Sequence, residues 1–89
     1  MRLDVFLKLS RLVVRRSIAA QMCREGKVFV NGILAKPSRE LRPGDVLEIS
    51  RRGEKLACKV LNIPTGQVSK ATASTLYELL YSQRQTEEL

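Results

Sequence analysis

Arg15 and Arg16 stand side by side immediately ahead of Ser17, a residue type that opens helices. Two guanidiniums at the start of a helix suit one kind of chemistry, the capture of an oxyanion. The planar arginine fork matches two phosphate oxygens at once. The unpaired N–H groups of a helix's first turn aim at the same region. Lys8 and Arg11 flank the gap ahead of that helix, and Lys27, Lys36 and Arg39 extend the cations across the following strand and loop. This spacing marks a phosphodiester-binding surface built from Lys8, Arg11, Arg15 and Arg16, continued by Lys27, Lys36 and Arg39. Each cation also has a plainer reading. Arg11 suits a solvated helix end, Arg16 an ion pair with Glu25 or Asp4, and Lys36 and Arg39 a soluble loop. Arg51 and Arg52 sit beside Glu54 and read as local hairpin charges.

The charge balance favours the polyanion. The 89 residues carry a net charge of +7. Ten Lys/Arg oppose four Asp/Glu up to Asp45, and six oppose five from Val46 onward. A basic excess gathered in one half is the electrostatic footprint of a nucleic-acid partner. Aromatic residues make up only 4% and Trp is absent, which argues against binding mainly by base stacking. No helix presents the base-reading polar side chains of a DNA-recognition element.

Nothing in the chain points to catalysis. There is no histidine, no glycine-rich phosphate loop and no serine with an activating partner. The carboxylates Asp4, Glu25, Glu40, Asp45, Glu48 and Glu54 are scattered beside cations or turns. Cys23 and Cys58 lie far apart in no paired motif and read as buried free thiols. The expectation is a non-enzyme with no metal and no cofactor. Met1 precedes a charged, alternating segment and no apolar run approaches a membrane span. A cytoplasmic protein with no membrane partner is expected.

The elements that must position the cations follow from periodicity and punctuation. Leu3, Phe6 and Leu7 give one apolar face to a helix over Arg2–Leu9, with Asp4 complementing its positive end. Ser17 caps a second helix, with Ile18, Ala19, Met22 and Cys23 as its buried stripe and Gly26 as its stop. Val28–Val30 reads as a strand, Asn31-Gly32 as a tight turn and Ile33–Ala35 as the returning strand. Arg42-Pro43-Gly44-Asp45 reads as a turn ahead of a strand over Val46–Ser50. Arg51 to Lys55 forms a hairpin loop, and Leu56–Leu61 the next strand, with Leu56, Cys58 and Val60 inward and Lys59 outward. From about Ala71, the residues Leu76, Leu79 and Leu80, with Tyr77 and Tyr81, predict a C-terminal helix, and Gln83–Leu89 a frayed polar tail. The expected class is α+β. Two short N-terminal helices pack on a small antiparallel sheet of about four strands, followed by a short C-terminal helix. Residues 1–63 form one unit, and residues 64–89 a linker, helix and tail.

Several of these residues together resemble a known family. They are Arg2-Leu3-Asp4 leading into a helix, Arg15-Arg16-Ser17-x-Ala19 opening a second, Gly26-Lys27-Val28-x-Val30-Asn31-Gly32 closing it, and Pro43-Gly44-Asp45 before a strand. The pattern resembles the S-four RNA-binding domain over about Met1 to Ser50. The start Met1-Arg2-Leu3-Asp4-x-Phe6-Leu7-Lys8-x-Ser10-Arg11-Leu12 is similar to the stand-alone RqcP proteins, relatives of the heat-shock S-four protein. That resemblance implies the S-four-like fold. It also places Arg2, with Arg15 and Arg16, in the family's RNA-facing pattern. It implies a factor that binds large ribosomal subunits obstructed by peptidyl-tRNA, contacts large-subunit rRNA and the tRNA, and supports alanine tailing of stalled chains with an RqcH-type partner. A monomer off the ribosome is expected. Val5 stands where relatives commonly carry a basic residue. Two alternatives remain: a general rRNA-binding or large-subunit assembly protein without a tRNA role, and the binding module of an RNA-modifying enzyme.

Overall fold

Leu3, Phe6 and Leu7 do not leave any surface to water. They line one side of α1 (Leu3–Leu9), the first element of a computed structural model that describes residues 1–84. Lys8 lies in its last turn, where a cation suits the helix dipole. After a connector, α2 (Arg16–Arg24) packs on α1 and turns Ala19, Ala20, Met22 and Cys23 inward. Ile18, expected in that stripe, is exposed, and Ala20 takes the buried position. The helix begins at Arg16, one residue ahead of the expected cap. Gly26 then closes the chain in the left-handed region at φ 75°, where a side chain is strained.

Five strands form one antiparallel sheet. They are β1 (Val28–Val30), β2 (Ile33–Leu34), β3 (Val46–Arg51), β4 (Glu54–Val60) and β5 (Tyr77–Arg84), in the spatial order β2-β1-β3-β4-β5. Asn31 and Gly32 take φ 53° and 80° in the β1–β2 hairpin, as the expected Asn-Gly turn requires. Arg52 and Gly53 do the same between β3 and β4, so the hairpin loop is tighter than the expected Arg51–Lys55 span. The register aligns Val30 with Leu47 and Leu47 with Cys58, and Val28 with Ile49 and Ile49 with Leu56. Those side chains, with Val60, face the helices and close the core. Lys59 points outward, as alternation predicts.

The C-terminal segment departs from expectation. Among its described residues only Lys70–Ala73 is helical, a single turn (α3) whose Ser69 cap accepts a hydrogen bond from the Thr72 N–H at 3.2 Å. Tyr77–Arg84 is a strand, so among the described residues the sheet has five strands rather than about four, and the helix predicted from about Ala71 does not continue past Ala73. The helical spacing of Leu76, Leu79 and Leu80 was misleading. Leu76 is buried, whereas Leu79 and Leu80 are exposed and form no apolar stripe. The outer edge of β4 is better satisfied by backbone pairing, which runs from Val60↔Tyr77 to Glu54↔Arg84 with a bulge beside Ala57 and Cys58. Tyr81 crosses the small Ala57 and donates its hydroxyl to Glu48 Oε2 at 3.1 Å. Gln83 and Arg84, expected in the frayed tail, belong to β5; the rest of that expected tail lies outside the described residues.

Candidate nucleic-acid interface

The centre of the basic surface is an acid. Asp4 sits in the first turn of α1 and is only 3% exposed. Its Oδ1 accepts from Arg2 Nε at 3.2 Å, and its Oδ2 accepts from Arg2 Nη2 at 3.3 Å and from Arg16 Nε at 3.3 Å. Burial pushes the Asp4 carboxyl up, but the hydrogen bonds and charges of Arg2 and Arg16 outweigh it and hold it below its ordinary value. The two arginines remain about half exposed, at 46% and 55%. Each therefore keeps part of its side chain accessible to a ligand.

The backbone brings the next cations to the same place. Leu3 N–H donates to Arg39 O at 2.8 Å and Asp4 N–H to Pro37 O at 3.1 Å, which docks the 36–40 loop on the start of α1. Arg2 also forms an isolated antiparallel bridge with Glu40. Arg39 is half-buried and donates Nε to Glu40 O at 3.3 Å, while Lys36 is exposed. Arg15 is the N-cap of α2, with extended backbone at φ −133° and ψ 146° and no side-chain cap. The predicted capping role of Ser17 is thus corrected. Arg15 supplies the extended residue, Asp4 fixes Arg16 at the first helical position, and Ser17 falls inside the helix. The first-turn N–H groups of α2 consequently open beside Arg15 and Arg16.

Lys8 and Arg11 occupy the other end of α1. There Arg11 adopts φ 64°, and Ser10 Oγ donates to Leu7 O at 3.2 Å. The Arg51 guanidinium donates to Leu12 O, tying the connector to the end of β3. Arg51 also pairs with Glu54 at 3.4 Å, in line with its structural reading. Lys8 and Arg11 rim a hollow of about 220 Å³ floored by Leu9, Val13, Val14 and Val68. Lys27 is set apart. It pairs with Glu25 at 3.2 Å, beyond the far end of α2, roughly 14 Å along the helix from Arg16. The structure therefore groups Arg2, Arg15, Arg16, Lys36 and Arg39 around one end of α1, puts Lys8 and Arg11 at its other end, and separates Lys27.

The sequence offers Asp4 as a helix-dipole partner and as one of two ion-pair partners for Arg16. The structure makes Asp4 the residue that joins the arginines. A carboxylate two residues from one arginine and twelve from another was the available signal. Among the described residues no cluster of His, Cys, Asp and Glu could hold a metal ion. Cys23 and Cys58 are buried free thiols, and burial pushes both up to about 11, with the Asp4 carboxylate adding to the rise at Cys23.

A family model described as the S4 domain matches residues 1–47, the span that contains this arginine cluster. An RQC P-site tRNA stabilizing factor of Halalkalibacterium halodurans is 46% identical, over 89% of this chain and 89% of its own. The chain belongs to the S4-domain family of RQC P-site tRNA stabilizing factors. Its relative of the same description in Bacillus subtilis is 38% identical over 94% of this chain and 96% of that one. Among solved structures, Vibrio cholerae heat shock protein 15 superposes with a TM-score of 0.82 at 29% identity, covering 89% of this chain and 80% of that chain. The solution structure of HP1423 superposes with a TM-score of 0.72 at 34% identity, covering 99% and 100%. The S4 match ends at the start of β3, so the β4–β5 hairpin lies outside it.

Proposed function

We propose that this protein binds large ribosomal subunits obstructed by peptidyl-tRNA and stabilizes the tRNA in the P site, supporting alanine tailing of the stalled chain with an RqcH-type partner. It works in the cytoplasm as a monomer off the ribosome. It acts by binding and positioning RNA and carries out no chemical step itself. Arg2, Arg15 and Arg16 form the principal phosphate contact, flanked by Lys36 and Arg39 on the docked loop and by Lys8 and Arg11 beside the connector. Lys27 is a peripheral contact, because Glu25 already offsets its charge.

The observation that carries this reading is the placement of the Arg2–Asp4–Arg16 cluster beside the uncapped start of α2, in a chain that matches P-site tRNA stabilizing factors over nearly its full length. The first-turn N–H groups of α2, with Arg15 and Arg16 at that turn and Arg2 joined to Arg16 through Asp4, supply donors and a helix dipole suited to an anion. The test is sedimentation from cells in which stalling is induced. The protein is expected with free large subunits that retain peptidyl-tRNA. Equal recovery on immature subunits lacking tRNA would overturn the reading in favour of an assembly role.

A further inference from the structure

A carboxylate at the heart of an RNA-binding surface needs a reason, since its charge repels the ligand. Asp4 cannot be dismissed as a solvated charge, because it is 3% exposed. Nor is it spent on the start of its own helix: the Leu3 and Asp4 N–H groups donate to Arg39 O and Pro37 O. Its two oxygens instead receive three N–H groups from two arginines, one on α1's N-cap and one on α2. For Arg16 only the inner Nε is engaged among the described residues, which leaves both terminal nitrogens free. For Arg2, Nε and Nη2 are engaged and Nη1 remains.

We infer that Asp4 is a positioning residue of the RNA site. Its carboxylate holds Arg2 and Arg16 by their inner N–H groups and turns the remaining donors outward as one clamp for a phosphodiester. An unrestrained arginine carries substantial rotamer entropy, much of which is lost when it grips a phosphate. Asp4 imposes that loss on folding rather than on binding, which is preorganisation. This inference rests on the RNA-binding reading above and adds a role for the buried carboxylate within it.

The sign of one substitution separates positioning from plain electrostatics. Asp4→Asn raises the net charge from +7 by one, so charge alone predicts tighter RNA binding. Asparagine also sets an N–H₂ donor against guanidinium donors, which releases at least one arginine. Binding to purified large ribosomal subunits is therefore expected to weaken at least fivefold, at a temperature where circular dichroism shows the variant folded. The same change in an Arg2→Ala/Arg16→Ala background is expected to have no weakening effect, because nothing is left to position. A purely structural role would weaken binding in both backgrounds. Unchanged or tighter binding by D4N, or equal weakening in both backgrounds, overturns the inference. If Arg16→Ala itself binds as well as wild type, the RNA reading fails first. Should D4N not fold, the wild-type protein still decides. The Arg16 Nε–H NMR signal should exchange slowly with water before RNA is added and keep its shift on RNA addition. Free-arginine exchange rates there would overturn the inference.

Discussion

At the scale of single residues, the basic cluster divides into side chains with and without a structural job. Arg16 has one, through Asp4, so Arg16→Ala would combine loss of the proposed RNA contact with a stability loss of about 0.5–1 kcal/mol. Arg15 forms no ion pair or side-chain hydrogen bond among the described residues. Arg15→Ala is therefore the cleaner probe: subunit affinity should fall severalfold while the melting temperature stays within about 1 °C of wild type. A shifted melting temperature with unchanged affinity would contradict its assignment. Asp4 also gives the fold a pH signature. Its folded pKa lies below the ordinary value, so it contributes stability above its unfolded pKa of about 4. That contribution fades as pH falls through the folded value. The melting temperature of wild type should exceed that of D4N at pH 7, and the gap should narrow at pH 3. The thiols offer a third check. Burial raises Cys23 and Cys58 to about 11, so neither should react with iodoacetamide at pH 8 until denaturant is added, as mass spectrometry would report. The arginines themselves were legible in the sequence, because adjacent cations ahead of a helix have few structural uses. Asp4's role was not, because it depends on tertiary placement of a residue twelve positions away.

At the scale of elements, the sequence was readable where punctuation was strong. Gly26, Asn31-Gly32 and Gly44 all adopt the positive φ that their turn readings require. The α1 stripe and the inward register of Leu56, Cys58 and Val60 follow from simple periodicity. The N-cap of α2 lies two residues earlier than read, at Arg15 rather than Ser17, because a serine was available as cap and an interhelical ion pair decided otherwise. The larger error, β5, arose where leucines at helical spacing competed with an unpaired sheet edge. Local propensity is weak in such a segment, and the open backbone of β4 outweighs it. The pairing implies graded protection. Amides of β3 and β4, flanked on both sides, should exchange slowest in hydrogen–deuterium exchange, and those on the far side of β5 fastest among the strands. Uniform protection from Tyr77 to Arg84 equal to that of β4 would contradict an exposed edge strand.

At the scale of the whole molecule, charge placement determines how binding must respond to salt. The ten Lys/Arg up to Asp45 fall on the two N-terminal helices, the segments beside them and the loop between β2 and β3, whereas β3, β4 and β5 carry a nearly balanced set. A phosphate-dominated interface releases counterions in proportion to the phosphates neutralised. If Arg2, Arg15, Arg16 and one flanking lysine or arginine each engage a phosphate, log affinity should fall with log salt at a slope of roughly −3. Arg15→Ala should lower the magnitude of that slope by roughly 0.7–0.9. Lys59→Ala removes a charge of the same sign from the outward face of β4, where Lys59 pairs with Glu78 across to β5, and should leave the slope unchanged. Net charge alone would make the two substitutions equivalent, since each lowers it by one. Unequal slopes therefore locate the interface on the arginine cluster, and equal slopes would return the protein to a diffuse basic surface with no defined RNA site.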